Sequence, residues 1–473
     1  MHSTARSICL ALATLLVAAA AAEPATIRVS TTDQLKAALA TAHTDPGRII
    51  ELRPGRYPFS GYSLFSLGPF EAGRPIRGLT IRGLGAGPRD VVLAGTGMDP
   101  RPDVNTGYGF VLIDALDVTF ENFEIRDVRT HLFALKGERG YADRTTFRRL
   151  RLVNAGEQFI KGTADQWVDG ADDGLVEDCH FEYELRSYVD RRLATAKWTV
   201  SKVVSPTEVI VTLDILTGAV RPFAYGSWRG ALLYPEGKAW ARTVIASAPV
   251  SSGPRSVRLK LGTSVPRRRW PRSVVTRLDL PDVVIRNAWG PNGGYTEAID
   301  VHTGSGWVVR RSSFVRIGTS LRSNYDHAVQ AILFWHGSHD TTIEDVSFYD
   351  CESGVMLGLG ADVNRAGWNH NRGVVRRAWF YRNAGVRGDR PFGFENSANA
   401  TIEEAYAVVN GTTNSAVEYR FPGTTGFVGR IIEADVTAVE ARADPGPATL
   451  SGIRRVSDPE RIRRFVLDTL DGW

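Results

Sequence analysis

The chain has 473 residues and a formal net charge of +5, with 43% hydrophobic and 23% charged residues. This is the composition of a globular protein long enough to bury a large core. The sequence contains no zinc-finger spacing, no helix-turn-helix pattern and no basic region interleaved with aromatic residues, so we expect no nucleic-acid partner. Beyond Cys9, only Cys179 and Cys351 occur, and we expect two unpaired core thiols rather than a disulfide.

Residues 1–22 form the first recognisable segment, MHSTARSICLALATLLVAAAAA. A basic start, an apolar stretch of about a dozen residues and small residues before Glu23 are typical of a secretory signal peptide. This stretch is short for a membrane span, and no later segment is apolar enough to cross a bilayer. The sequence therefore predicts an exported protein, secreted or periplasmic, that has no membrane span and is a monomer.

An amphipathic helix is predicted near residues 31–43, where Ser and Thr signal its start and Pro-Gly its end. The segment IIELRPGRYPF follows it as two short strands around a Pro-Gly turn. We expect the helix to cover the open end of a core formed by the residues after it.

Six later segments repeat one pattern, with mostly apolar residues in slots one, four and six and mostly polar or charged residues between them. They begin at Phe120, Phe147, Val176, Val309, Ile343 and Val375, and a looser seventh begins at Ile402. Apart from one gap, the starts are 27 to 34 residues apart. Such a period of short β-rich segments indicates a solenoid. Helical repeats would need 3.6-residue periodicity, and propeller blades would need longer units. The predicted fold is all-β, a right-handed parallel β-helix from about residue 47 to residue 455.

The one irregular gap separates the third repeat from the fourth by 133 residues. Segments such as TEVIVTLDIL and SVRLKLG alternate apolar and polar residues there, which is typical of strands with one buried face. We interpret residues 186–292 as an inserted, mostly antiparallel β module. The remaining divisions are a signal peptide at 1–22, the capped N-terminal part of the solenoid at 23–185, and its C-terminal part and tail at 293–473.

A second strand follows each repeat, as in FALKG, FIKG and AIDVHTG. Alignment of these strands predicts two ladders that face opposite sides of the sheet. The predicted inward ladder is Leu135, Ile160, Val301, Trp335, Met356, Phe394 and Tyr419. The predicted outward ladder is Lys136, Lys161, His302, His336, Leu357, Glu395 and Arg420, with Asp300 and Glu418 two residues earlier on the same face.

The outward ladder concentrates two of only seven lysines and two of nine histidines. A row of ionisable groups along a solenoid wall suits a long chain of repeated polar or anionic groups, so we expect an acidic polysaccharide as the partner. The candidate catalytic residues are Lys161, His302, Asp300, Arg420 and Glu418. The candidate substrate-binding residues are Lys136, Trp335, His336 and Glu395.

The acidic loop DQWVDGADDG places Asp165, Asp169, Asp172 and Asp173 close together. Carboxylates are the ligands that Ca²⁺ prefers, but the loop has no recognised spacing. A Ca²⁺ ion is therefore left open, and no metal site or cofactor is assigned.

With QFIKG, AIDVHTGSGWVVR, SGVMLGLG and VEYRFP in view, the chain resembles exported bacterial right-handed parallel β-helix repeat proteins. Their better-understood relatives are polysaccharide lyases of the pectate lyase and chondroitinase B type. The resemblance covers nearly all of the chain after residue 22 except the insertion. It implies a Lys or Arg base and a cation or Arg that neutralises the substrate carboxylate. Lys161 corresponds to the lysine by its position on the sheet, and Arg420 or Arg186 to the arginine.

Three functions stay open at this point. A lyase would use Lys161 or His302 as the base and Arg420 or Lys136 to neutralise the uronate carboxylate. A glycoside hydrolase would pair carboxylates from Asp300, Glu395 and Glu418. A non-catalytic glycan-binding or surface protein would use Trp335 and the inserted module as a platform.

Overall fold

The computed structural model describes residues 24–69, 74–98, 106–164, 170–190, 197–213, 232–234, 242–249, 256–262, 275–279, 283–288, 296–318, 329–384, 386, 388–410, 415–471 and 473. The predicted signal peptide at 1–22 lies outside these residues. Among the described residues, no helix has both the length and the apolar character to cross a membrane.

The helices and strands up to residue 182 form the N-terminal part of the solenoid. They are β1 (Thr26–Val29), α1 (Thr32–Ala40), β2 (Ile49–Leu52), β3 (Gly55–Pro58), β4 (Ser63–Leu67), β5 (Ile76–Arg77), β6 (Thr80–Gly83), β7 (Val91–Ala94), β8 (Tyr108–Leu112), β9 (Ala115–Leu116), β10 (Thr119–Glu121), β11 (Glu124–Val128), β12 (Phe133–Lys136), β13 (Thr146–Arg148), β14 (Arg151–Ala155), β15 (Ile160–Thr163), β16 (Leu175–Glu177) and β17 (His180–Glu182). Short 3₁₀ helices lie at Ala42–Thr44 and Pro88–Asp90.

The strands of the predicted insertion pair antiparallel with one another. They are β18 (Arg186–Asp190), β19 (Lys197–Ser205), β20 (Glu208–Leu213), β21 (Leu232–Tyr234), β22 (Arg242–Pro249), β23 (Ser256–Leu261), β24 (Val275–Asp279) and β25 (Val283–Ala288). Six of them, β19 to β24, form a closed barrel, whereas β18 pairs with β25. That 186–292 is a separate module stays a prediction.

The solenoid continues after residue 296. Its strands are β26 (Ile299–His302), β27 (Val308–Val315), β28 (Gln330–Trp335), β29 (Ser338–His339), β30 (Thr342–Tyr349), β31 (Ser353–Leu357), β32 (His370–Asn371), β33 (Val374–Arg382), β34 (Phe392–Glu395), β35 (Ser397–Ala398), β36 (Thr401–Val409), β37 (Ser415–Arg420), β38 (Phe427–Ala434), β39 (Thr437–Arg442) and β40 (Ala448–Arg455), followed by the helix α2 (Pro459–Asp468).

Two long parallel sheets form the walls of the solenoid, one of 17 strands and one of 10. The repeats pair slot for slot, since Phe120 lies beside Phe147 on the next coil, and Phe147 lies beside Val176. The same slot continues across the insertion from Val176 to Val309. Equivalent positions therefore stack in ladders, and the all-β, right-handed parallel β-helix prediction is confirmed.

A bend at slot three explains why slots one, four and six all face the core, although side chains alternate in a regular strand. The slot-three residues all have a positive φ, between 47° and 58°: Asn122, Arg149, Asp178, Arg311, Asp345, Arg377 and Glu404. One left-handed residue turns the chain so that the next residue returns to the inner side. All seven are polar or charged. Six of them are at least partly exposed, and the buried Asn122 donates hydrogen bonds to the carbonyls of Gly83 and Gly85.

The two cysteines that were predicted to be unpaired core residues lie in the core. Cys179 and Cys351 are both unpaired and fully buried. Burial raises the pKa of each thiol to about 12, because the thiolate loses its hydration. The two cysteines are therefore structural.

The ends of the solenoid differ from the prediction in two respects. Strand β1 already pairs in parallel with β2, so the solenoid begins at Thr26 rather than near residue 47. The capping helix α1 lies within the predicted range, and its N-cap Thr31 accepts a hydrogen bond from the Gln34 backbone. The helix α2 was not predicted. It packs against the outer face of the larger sheet, where Phe465 stacks on Trp379 with 4.0 Å between ring centroids.

Candidate active site

The 10-stranded sheet carries the candidate residues, but its register differs from the predicted ladders. Lys161 pairs with Ala134 on one side and with Asp300 on the other. Lys136 instead pairs with Thr163. The two lysines face the same side of the sheet, but they lie in columns two residues apart, so the prediction that they are neighbours in one column was wrong.

The spacing from the preceding repeat explains this register. Phe133 and Ile160 pair with each other, and each lies 13 residues after slot one of its own repeat, Phe120 and Phe147. The two coils have the same length, so their second strands begin level. Alignment on the shared Lys-Gly ending ignored this equality and shifted one strand against the other.

The structure also corrects four other positions. Trp335 was predicted to point inward, yet it lies on the outer face beside His302, and Met356 occupies the outer column as well. Leu357 was predicted to face outward and is a buried core residue instead. His336 was predicted to share the outward column of His302, but Trp335 occupies that place, and His336 follows the end of β28 with a φ of 54°. The inward placements of Leu135, Val301, Phe394 and Tyr419 agree with the core of the structure.

Three successive strands of this sheet bring together Lys161, Asp300, His302 and Trp335. The Lys161 ammonium forms an ion pair with Oδ2 of Asp300, and its Nζ lies 2.8 Å from Nε2 of His302. The Trp335 indole donates a hydrogen bond to Oδ1 of Asp300 at 2.9 Å. Asp300 is thus held from two sides by partners on the strands that flank it.

Exposure ranks these groups by depth. The side chain of Asp300 is fully buried, that of Lys161 is 6% exposed, and that of His302 is 19% exposed. Burial alone would raise the pKa of Asp300, but the charge of Lys161 and the hydrogen bond with His302 hold it well below the usual range. Asp300 is therefore an anion at neutral pH, and His302 is the most exposed of these three side chains.

His336 extends the cluster along the sheet. Its ring lies 4.9 Å from that of His302 and 3.8 Å from that of Trp335, measured between centroids. Burial and the nearby His302 lower the pKa of His336 to about 4. It is consequently neutral at physiological pH, so it adds a ring but no charge to the cluster.

Two buried polar residues next to the cluster, Gln158 and Glu297, were missed by the sequence reasoning. Glu297 is fully buried, and it accepts a hydrogen bond from Nε2 of Gln158 at 2.8 Å. Burial and the neighbouring Asp300 anion raise the pKa of Glu297 well above its ordinary value. Gln158 and Glu297 each stand three residues before Lys161 and Asp300. Extending the strand alignment three residues upstream would have found them.

His131, on the preceding coil, is a further buried polar residue next to Gln158. Nδ1 of His131 accepts the backbone N–H of Gln158 at 3.4 Å, and its Nε2 lies 3.9 Å from the Glu157 carboxylate. Burial, followed by the charges of Lys161 and Lys136, lowers the pKa of His131 to about 3. His131 is therefore a neutral acceptor.

The remaining candidates form a second cluster further along the same sheet. The Arg420 guanidinium forms an ion pair with Glu395 and lies 3.5 Å from Glu418. The buried Arg390, which the sequence reasoning missed, bridges Glu395 at 3.1 Å and Glu418 at 2.9 Å. Arg442 reaches the other oxygen of Glu418 at 3.4 Å. The carboxylates are buried beneath the guanidinium groups.

The two clusters are separate. Glu418 lies in the same outer column as Asp300, but four strand steps away, since the column runs through Leu333, Met356 and Gly393. At the usual strand spacing, this separation is about 19 Å. Arg420, Glu418 and Glu395 therefore do not contact the same sugar ring as Lys161 and His302.

Lys136 and Arg186 are the two remaining residues that the sequence analysis named. Lys136 is in the same outer column as His302, two strands away, and its ammonium lies 3.8 Å from the Glu138 carboxylate. Arg186 begins β18, but its side chain is not among the described ones.

The predicted acidic loop is described only in part, since Asp165 and Asp169 lie outside the described residues. Oδ1 of Asp172 accepts the backbone N–H of Ser305 at 2.7 Å, so this carboxylate fastens two coils together. Within the described ranges, no group of three or more His, Cys, Asp or Glu side chains is placed to hold a metal ion.

No family model matches the chain, and no curated protein matches it either. Among solved structures, an alginate lyase from Paenibacillus sp. is 13% identical with a TM-score of 0.37, over 90% of this chain and 99% of its own. The A-module of a mannuronan C-5 epimerase from Azotobacter vinelandii is 11% identical with a TM-score of 0.37, over 90% and 95%. An endo-xylogalacturonan hydrolase from Aspergillus tubingensis is 8% identical with a TM-score of 0.42, over 91% and 92%.

The parallel pairing of strands from successive coils defines the fold class of this chain. The chain is a parallel β-helix protein, with a Lys–Asp–His cluster on the outer face of one sheet.

Proposed function

We propose that this protein is an enzyme that acts on an acidic, uronate-containing polysaccharide, and that it cleaves the chain by β-elimination. The observation that carries the proposal is the contact between Lys161, Asp300 and His302 on the outer face of adjacent strands. Such a cluster supplies a proton acceptor and a fixed positive charge within one sugar ring of each other.

The first step is removal of the proton at C5 of a uronate, next to the carboxylate. The charge that develops on the carboxylate oxygens needs a cation close by. Lys161 is suited to that role because Asp300 fixes its ammonium group. His302 is suited to accept the proton, since its imidazole is the most exposed member of the cluster.

In the elimination, the C5–H bond breaks and its proton passes to His302. The electron pair forms the C4–C5 double bond as the C4–O bond breaks, and the departing oxygen takes up a proton. The imidazolium formed in the first step donates that proton, which returns His302 to its neutral form, while Lys161, 2.8 Å from Nε2 of His302, keeps its charge throughout.

The same C5 deprotonation also begins an epimerisation, which is the reaction named for one of the similar structures. The two reactions differ in whether the C4–O bond breaks or C5 is reprotonated from the other side. Hydrolysis has less support. The carboxylate of Asp300 is fully buried, and those of Glu395 and Glu418 are held by guanidinium groups. A carboxyl pair open to a sugar is therefore missing among the described candidates.

The test is incubation of the purified protein with a panel of acidic and neutral glycans in heavy water. We expect ultraviolet absorbance from an unsaturated uronide on an acidic glycan. Deuterium at C5 without chain cleavage would assign epimerisation instead. New reducing ends without that absorbance would indicate a hydrolase, and binding without turnover would indicate a non-catalytic protein.

A further inference from the structure

A row of aromatic side chains lies beside the candidate active site, on the N-terminal side of Lys161. The ring of Tyr62 lies 5.1 Å from that of Tyr108, and Tyr108 lies 5.5 Å from His131, between centroids. Tyr62 is 67% exposed, the largest fraction among the described large hydrophobic residues. Because the exposed ring of Tyr62 lies against that of Tyr108, the two residues form a continuous aromatic surface rather than a single exposed side chain.

The backbone fixes this row. The N–H of Tyr108 donates to the carbonyl of Tyr62 at 2.9 Å, and the N–H of Gly109 donates to that of His131 at 3.0 Å. A Cβ at Gly107 would lie 2.7 Å from the Tyr62 carbonyl oxygen, and one at Gly109 would lie 2.3 Å from a neighbouring carbonyl. The glycines on both sides of Tyr108 therefore allow the coils to approach closely enough to align the rings.

The row is continuous with the candidate active site. Tyr108 packs against the outward apolar residues Val111 and Ala134, and Ala134 is the strand neighbour of Lys161. At the other end of the row, His131 contacts Gln158 and is influenced by the charge of Lys161. The aromatic rings and the Lys161 cluster therefore lie along one face of the solenoid.

We infer that Tyr62 and Tyr108 form a stacking platform for sugar rings of the substrate that are not themselves cleaved. The apolar face of a pyranose stacks on an aromatic ring, while its hydroxyl and carboxylate groups remain in water. Strand β4, which begins directly after Tyr62, is three strand steps from the strand of Lys161, about 14 Å. The occupant is therefore a chain of several linked sugars that continues from the reacting uronate. This inference rests on the proposed function and adds a requirement for a polymeric substrate.

The experiment compares wild type with Tyr62→Ala and Tyr62→Trp on uronate oligosaccharides of increasing length. We expect the preference for long over short substrates, as a ratio of kcat/KM, to fall about three- to tenfold in Tyr62→Ala and to persist in Tyr62→Trp. Tyr141→Ala is the matched control, because Tyr141 is similarly exposed at 56% but lies beyond the other end of β12. It should leave the ratio unchanged.

The binding of the same oligosaccharides, measured by calorimetry, separates the two proposals. An unchanged length preference in Tyr62→Ala, on a substrate that wild type cleaves, would overturn the platform and leave the proposed function intact. Tyr62-dependent binding of long oligosaccharides that wild type does not convert would overturn the proposed function and keep the platform. Absence of both binding and turnover on every acidic glycan would overturn both.

Discussion

Nζ of Lys161 lies 2.8 Å from Nε2 of His302, although 141 residues separate them in the chain. The contact exists because β15 and β26 are neighbours in the sheet, with the whole predicted insertion between them in sequence. Asp300 stands next to both groups and balances the Lys161 charge. This arrangement gives Lys161 and His302 different tasks, and these tasks can be separated by mutation.

Replacement of Lys161 tests whether its charge or its proton is used. If the fixed charge stabilises the developing anion, Lys161→Arg keeps more activity than Lys161→Met, and His302→Gln lowers kcat by about 100-fold or more. Steady-state kinetics on a cleaved substrate provide the measurement. Equal loss in Lys161→Arg and Lys161→Met, with His302→Gln active, would instead make Lys161 the base.

Glu418 is expected to act on stability rather than on chemistry. Glu418→Gln removes a buried partner of Arg390, so the free energy of unfolding should fall by about 2–3 kcal/mol. The control is Glu440→Gln, because Glu440 is about one-third exposed in its pair with Arg442 and should contribute less than about 1 kcal/mol. Denaturant unfolding of both variants measures the difference. A large loss of kcat in Glu418→Gln at unchanged stability would place Glu418 in the catalytic machinery.

The buried Glu297 makes wild type less stable as the pH rises. Its folded-state pKa is raised above the ordinary value of 4.5, so between these two values the folded state keeps a proton that the unfolded state releases. The contribution of Glu297 is fully present below pH 4.5 and is lost above it. Glu297→Gln keeps an acceptor for Gln158 and should stabilise the protein by about 1–2 kcal/mol at pH 8.

Thermal unfolding of wild type and Glu297→Gln at pH 8 and at pH 4.5 checks this sign. The stabilisation should be smaller at pH 4.5, because the carboxyl of the unfolded chain is already about half protonated at its ordinary pKa of 4.5. An equal effect at the two pH values would show that folding does not raise the pKa of Glu297.

His370 gives the opposite pH dependence at a place away from the site. It is fully buried between Thr341 and Ser397, and burial lowers its pKa to about 3 from an ordinary 6.5. Its contribution is complete above pH 6.5 and is lost as the pH falls toward 3, because the unfolded state binds a proton that the folded state excludes. His370→Gln should therefore lose less stability between pH 7 and pH 5 than wild type, measured by urea unfolding. An unchanged slope would exclude a role for His370 in acid sensitivity.

The sequence by itself determined the fold class. The apolar slots one, four and six are a local pattern that recurs along the chain. Stacked coils bury such a pattern, and stacked coils of short strands are the architecture of a parallel β-helix. The same periodicity predicted the burial of Cys179. It also marked Lys161, Asp300 and His302 as outward residues, because alternation along a short strand depends only on neighbours in the chain.

Only the tertiary structure decided which outward residues meet. A parallel register depends on the length of every coil, and a shift of one or two residues moves a side chain to another face or column. Because of this dependence, the neighbour of Lys161 on the next strand is Asp300 rather than Lys136, and Trp335 faces outward. It also separated Glu418 from Asp300 by four strands. The raised pKa of Glu297 arises from burial and a neighbouring anion, and both of these are produced by coils that are distant in the sequence.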